Sequence, residues 1–180
     1  MKFARTILIC ATATLFVSCA HFSKPIDQSF HPDTNASVIY GRFELGPEFS
    51  AGNQLALWLA GGNSNTKYIQ FKNADPISCI PVKPGRYNII GFIGTDVDHR
   101  IWGRQKFREI FQFNVPTNSA VYLGDFAGSA RYDFAGMLQE WTVKGITNNF
   151  IEMTGEFRRK FPNLATLPTY SAFAQQSDRR

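Results

Sequence analysis

Asp96, Asp98 and His99 place two carboxylates and an imidazole within four consecutive positions, the densest set of ligand-type side chains in the chain. A hard cation takes several oxygens from a short loop, and a carboxylate beside a histidine can move a proton. Val97, however, stands where a turn-making Gly would close a cation loop, and two carboxylates are few for the purpose. The segment reads as an ordinary solvated turn. His99 titrates near neutral pH by default, but nothing in the neighbouring sequence pairs with it. Asp125, in Gly124-Asp125-Phe126 at the end of an expected strand, reads either as an acid or as a cap on backbone N–H groups. The local signatures of hydrolysis are missing: there is no Gly-x-Ser-x-Gly elbow, no His-Glu-x-x-His and no pair of cysteines for a metal. Gly91-Phe92-Ile93-Gly94 lacks the Lys-Ser/Thr ending of a phosphate loop and reads as a bent or closely approached strand. No catalytic residue, metal or cofactor is assigned.

Arg100, Arg104, Lys106 and Arg108, interleaved with Trp102 and Phe107, form the one concentrated basic segment. Guanidinium forks grip phosphate or carboxylate, and an exposed Trp seats at a lipid headgroup or stacks on a sugar. Arg100, Trp102, Arg104, Lys106 and Arg108 are therefore the candidate contact residues for an anionic lipid, a glycan or a protein partner. The spacing predicts a protruding connection between two strands. A solvated basic loop with Trp102 tucked into the core fits the same residues. Cys79, between Ile77 and Ile80, reads as a small buried residue rather than a reactive thiol.

The amino terminus carries a different chemistry. Lys2 and Arg5 precede an apolar run over Ile7 to Val17 that is far shorter than the ~20 residues of a membrane-spanning helix. Leu15-Phe16-Val17-Ser18-Cys19 then closes that run on a small residue and a thiol. This resembles the lipobox of bacterial lipoproteins, with Phe16 a departure from the aliphatic residue usual there. The resemblance implies cleavage before Cys19, lipid on its thiol and an acylated amine. Each buried methylene contributes roughly 0.8 kcal/mol, so a multiply acylated cysteine holds a chain to a leaflet essentially permanently. Ala20, where an Asp would imply retention at the inner membrane, implies the outer membrane, facing the periplasm. An ordinary secretory signal cut near Ala20 is the competing reading.

The 162 residues from Cys19 onward suit one domain. They hold 15 of the 17 Phe, and a net charge of +3 that is too mild to argue for nucleic acid. With Cys10 in the leader and Cys19 committed to lipid, Cys79 has no disulfide partner.

Residues 19–37 are polar and aperiodic and read as a tether, residues 38–170 as the domain and 171–180 as a loose tail. Strands are expected over Val38 to Leu45, Gln54 to Ala60, Thr66 to Lys72, Ile77 to Val82, Arg86 to Thr95, Ile110 to Val115, Ala120 to Phe126 and Glu140 to Lys144, punctuated by Gly, Pro and Asn. Gly61 to Asn65 predicts one hairpin turn, and Pro116-Thr117-Asn118-Ser119 a second. Phe150, Met153, Thr154, Phe157 and Phe161 recur at helical spacing after Asn148-Asn149 and stop before Pro162. The fold class is thus mainly β, a two-sheet antiparallel β-sandwich with one C-terminal amphipathic helix.

Pro84-Gly85-Arg86-Tyr87 ahead of a long apolar strand resembles the turn of prealbumin-like and carboxypeptidase-regulatory-like domains. Tyr122 to Phe126, the Trp141 strand and the closing helix resemble uncharacterised bacterial lipoproteins built on such a sandwich. That likeness spans about residues 38–170 and brings no catalytic residues with it. The expected function is a lipid-anchored cell-envelope module that binds without catalysis. The alternative is an envelope hydrolase whose acid and base, drawn from Asp96, Asp98, His99 and Asp125, meet only in space.

Overall fold

The computed structural model describes residues 22–23, 26–31, 36–44, 54–61, 64–71, 77–95, 101–132 and 138–173. Their strands are β1 (Phe22–Ser23), β2 (Ser37–Glu44), β3 (Gln54–Gly61), β4 (Ser64–Phe71), β5 (Ile77–Val82), β6 (Gly85–Thr95), β7 (Ile101–Val115), β8 (Ala120–Tyr132), β9 (Leu138–Thr147) and β10 (Thr169–Ser171). One helix, α1 (Phe150–Lys160), and a short 3-10 turn at Pro162–Leu164 complete them. The protein is mainly β, with two sheets and one α-helix among the described residues.

The first sheet runs β1-β4-β3-β6-β7 and the second β10-β8-β2-β5, with β9 also paired to β8. The Gly61–Ser64 hairpin forms as expected, β3 pairing antiparallel with β4. The second expected hairpin does not. β7 pairs with β6 in the first sheet, while β8 pairs with β2 in the second, so residues 116–119 carry the chain from one sheet to the other. The alternation behind that expectation was sound: Phe113 and Val115, and Val121 and Leu123, enter one core cluster. They enter it from two different sheets, and a period of two is the same for a hairpin partner as for a strand across the core. Ser37 Oγ and Ser119 Oγ both donate to Pro116 O, at 2.7 and 2.6 Å, and fix this crossing.

The expectation of antiparallel pairing throughout is also corrected. β2 and β8 run parallel at the centre of the second sheet, and β1 and β10 join their neighbours in parallel. β2 is buried on both faces. Ile39 and Phe43 join the cluster that draws on both sheets, and Val38 and Tyr40 join a second cluster with Met153, Phe157 and Phe161. The predicted aromatic stripe of α1 is what it buries, each fully covered side chain contributing about 1.5 to 3 kcal/mol. Phe157 stacks on Tyr40 with ring centroids 4.3 Å apart.

The ends differ from expectation. Within the segment read as a tether, Phe22 and Ser23 pair with Tyr68 and Ile69, Ile26 N donates to Cys79 O at 2.9 Å, and Ile26 and Phe30 pack against the second cluster. Their apolar side chains gain more by covering that cluster than a free linker would. At the other end Ser171 lies in β10, Ala172 is buried, and the Phe173 ring meets Phe111 edge-on at 5.5 Å. Residues 171–173 therefore belong to the body, and 174–180 lie outside the described residues.

Candidate functional site

The charged groups that come together do so where α1 starts, over β2 and β8, and a backbone irregularity puts them there. Tyr40 pairs with Tyr122, but Arg42 pairs with Asp125, so β8 carries one extra residue between them. Gly124 supplies it with φ +128°, a conformation costly for any residue with a Cβ. Opposite it, a Cβ on Gly41 would sit 2.7 Å from Gly124 O. The extra residue resets the alternation: Leu123 and Phe126 enter the core cluster that draws on both sheets, and Tyr122 and Asp125 meet on the helix side.

There Tyr122 Oη donates to Asp125 Oδ1 at 2.7 Å and Asn149 Nδ2 donates to Asp125 Oδ2 at 2.7 Å. Asn149 N donates to Tyr122 Oη at 3.1 Å. Arg42 lies 3.6 Å from Asp125, 3.1 Å from Glu156 and 3.7 Å from Glu152. Further along the helix, Tyr40 and Thr154 share a hydroxyl–hydroxyl hydrogen bond at 2.8 Å.

The electrostatics follow from burial and neighbours. Burial alone would lower the Arg42 pKa, but Asp125, Glu156 and Glu152 outweigh it and raise it. Burial raises the Tyr122 pKa, and its bond to the Asp125 carboxylate raises it further. Burial pushes Tyr40 up to about 12 against the partial relief of Thr154. Burial also raises the Cys79 thiol, which keeps it protonated and unreactive.

Asp125 is thus neither a free acid nor a cap on a turn. Its two oxygens accept from a phenol and an amide while a guanidinium neutralises it, and the combination fastens the start of α1 to the second sheet. Beside it, an open hollow of about 410 Å³ is lined by Asn148, Asn149, Phe150, Ile151 and Glu152. Among the described residues no three His, Cys, Asp or Glu side chains gather as a metal would need. No described helix is long and apolar enough to cross a membrane.

Of the residues singled out in the sequence, Cys19, Asp96, Asp98, His99 and Arg100 lie outside the described residues. Trp102, Arg104, Lys106 and Arg108 lie in β7 rather than in a protruding loop. The 15-residue strand forms alongside β6, which continues to Thr95 and pairs with residues 101 to 106 and 111 to 115, with a register shift between them. Arg104 pairs with Ile93 and Lys106 with Gly91, and these pair in turn with Ala56 and Trp58. Trp102 falls where the β6–β7 register shifts, and Arg108 in the stretch of β7 between the Lys106 and Phe111 pairings.

Arg42, Tyr122, Asn149, Glu152 and Glu156 were not singled out by sequence. Arg42 carried a signal as a cation in a strand that also holds Ile39, Tyr40 and Phe43, and Asn149 as the residue before the helix.

No protein-family model, curated protein or solved structure matches the chain.

Proposed function

We propose that the protein is a lipid-anchored lipoprotein of the bacterial cell envelope, probing its surroundings by surface contact rather than by catalysis. The observation that carries this reading is the run from Leu15 to Cys19 behind Lys2 and Arg5. In this reading the body is a two-sheet sandwich of the prealbumin-like kind. Its support is the core cluster that takes Leu57, Tyr87 and Phe113 from one sheet and Ile39, Ile80 and Val121 from the other.

Two features support a binding role. Asp125, the one described member of the alternative acid–base set, is already neutralised by Arg42 and held by Tyr122 and Asn149. Arg104 and Lys106 stand two positions apart in the one strand β7, and a guanidinium beside an ammonium suits an anionic lipid, a glycan or an acidic protein.

The lipid anchor also constrains geometry. Only Ala20 and His21 separate Cys19 from Phe22, and the three Cα–Cα steps span at most about 11 Å. A lipid on Cys19 therefore keeps the β1–β4 edge close to a leaflet, and Ala20 favours the outer membrane, with the body in the periplasm.

Growth with radiolabelled palmitate tests the anchor. The natural chain should carry label and fractionate with membranes, and Cys19→Ala should carry none. Label persisting on that variant overturns the reading.

A further inference from the structure

Apart from Glu152, which lies 3.7 Å from Arg42 while its side chain stays largely exposed, the outward face of α1 has a composition that the monomer does not use. Met153, Thr154 and Phe157 turn inward, which leaves Ile151, Gly155 and Arg159, four apart, as one row on the solvent side. Ile151 is 88 % exposed, the most exposed large apolar residue among those described. A Cβ on Gly155 would meet nothing within 4 Å, so neither close packing nor the backbone of this chain calls for glycine there. The acidic residue of the first turn, Glu152, and the basic residues of the last turn, Arg158, Arg159 and Lys160, stand at opposite ends. Lys160 turns back to donate to Ile77 O at 2.8 Å, while Arg158 and Arg159 are exposed.

We propose that this face docks antiparallel against the α1 face of a second copy of the chain, the two helices crossing at Gly155. A two-fold axis through Gly155 sets Ile151 against the aliphatic stems of the partner copy's last turn and Glu152 beside the guanidinium of Arg159 on the other copy. The same pairs recur on the far side of the axis, as a self-complementary interface requires. Charge decides the direction. A parallel pair would place Glu152 beside Glu152 and arginine beside arginine, whereas the antiparallel pair matches opposite charges at both ends and opposes the helix dipoles. Glycine at the crossing lets the backbones approach to the short end of the usual 8 to 10 Å range. The helix is only about 16 Å long, and its face is smaller than a standard interface, so the dimer is weak and concentration-dependent.

Disulfide trapping of the full chain in the cells that make it tests this. Gly155→Cys is compared with Thr117→Cys, which places the thiol on an exposed turn. Cys19 and Cys79 are common to both variants. Under mild oxidation Gly155→Cys should form a disulfide-linked homodimer at least ten-fold faster than Thr117→Cys. Adding Arg159→Glu should cut the yield at least five-fold, and combining it with Glu152→Lys should restore it, which unfolding would not. Equal trapping rates, trapping to a different protein, or no rescue by the charge swap would overturn the proposal. Lipid labelling has no part in this readout, so the dimer stands or falls apart from the anchor.

Discussion

Arg42 and Asp125 stand at paired positions on parallel neighbours β2 and β8, with Nη1 3.6 Å from Oδ2. They meet because Gly124 adds a residue to β8, and their meeting fixes where α1 begins. Most of the expected behaviour of this protein under mutation and pH traces to that junction.

Gly124→Ala should destabilise the fold by about 1 to 3 kcal/mol, since φ +128° is strained for any L side chain. The new methyl would also lie 2.8 Å from Ile146 Cγ2 and 2.9 Å from the Phe173 ring. Urea unfolding followed by Trp fluorescence measures the loss. Stability equal to the natural chain would mean that the strand irregularity is not needed.

Asp125→Ala leaves the Tyr122 hydroxyl and the Asn149 amide without their shared acceptor and removes one of the three carboxylates around Arg42. An expected loss of about 1 to 3 kcal/mol should be accompanied by faster hydrogen exchange at the amides of the first turn of α1. Exchange that speeds up evenly over the whole chain would contradict a local fastening role.

Alkaline pH should unfold the protein early. Below pH 10 the folded and unfolded chains both keep the protons on Tyr40 and Tyr122. Above it the unfolded chain releases them, while burial holds Tyr40 protonated up to about 12 and raises Tyr122 as well. The unfolded state is then favoured, and stability falls by about 1 kcal/mol or more between pH 9 and 11. Thermal melts across that range test it, and Tyr122→Phe should flatten the decline.

Gly155→Ala should stabilise the monomer by up to about 1 kcal/mol, because the site is solvent-facing, helical and unobstructed. A raised melting temperature at low protein concentration is the expected result.

Cys79 is fully buried, and its burial-raised pKa leaves almost no thiolate. A chromogenic disulfide reagent should leave it unmodified in the native protein and titrate it fully in guanidinium. Fast native labelling would show that β5 opens.

The sequence made local elements legible and left long-range pairings hidden. The stripe of Met153, Phe157 and Phe161 announced a buried helix face, and Gly61 announced the β3–β4 turn, because each depends on neighbours within a few positions. Which strand lay beside β8 was not readable. Val121 and Leu123 alternate identically whether Phe113 is a hydrogen-bonded neighbour or a contact across the core. Asp125 was misread for a related reason: alternation from Leu123 places it on the core side, and only the positive φ of Gly124 moves it to the helix. The length of the basic run between two expected strands predicts a protruding connection, whereas β6 pairs with residues 101 to 106 and draws that part of the run into β7.

The parallel pairing of β2 with β8 carries a kinetic consequence. Val38 finds Ala120 only after the intervening β3 to β7 have been synthesised, and contacts so distant along the chain close slowly. The middle of the second sheet is therefore completed late, after most of the chain is available to fold.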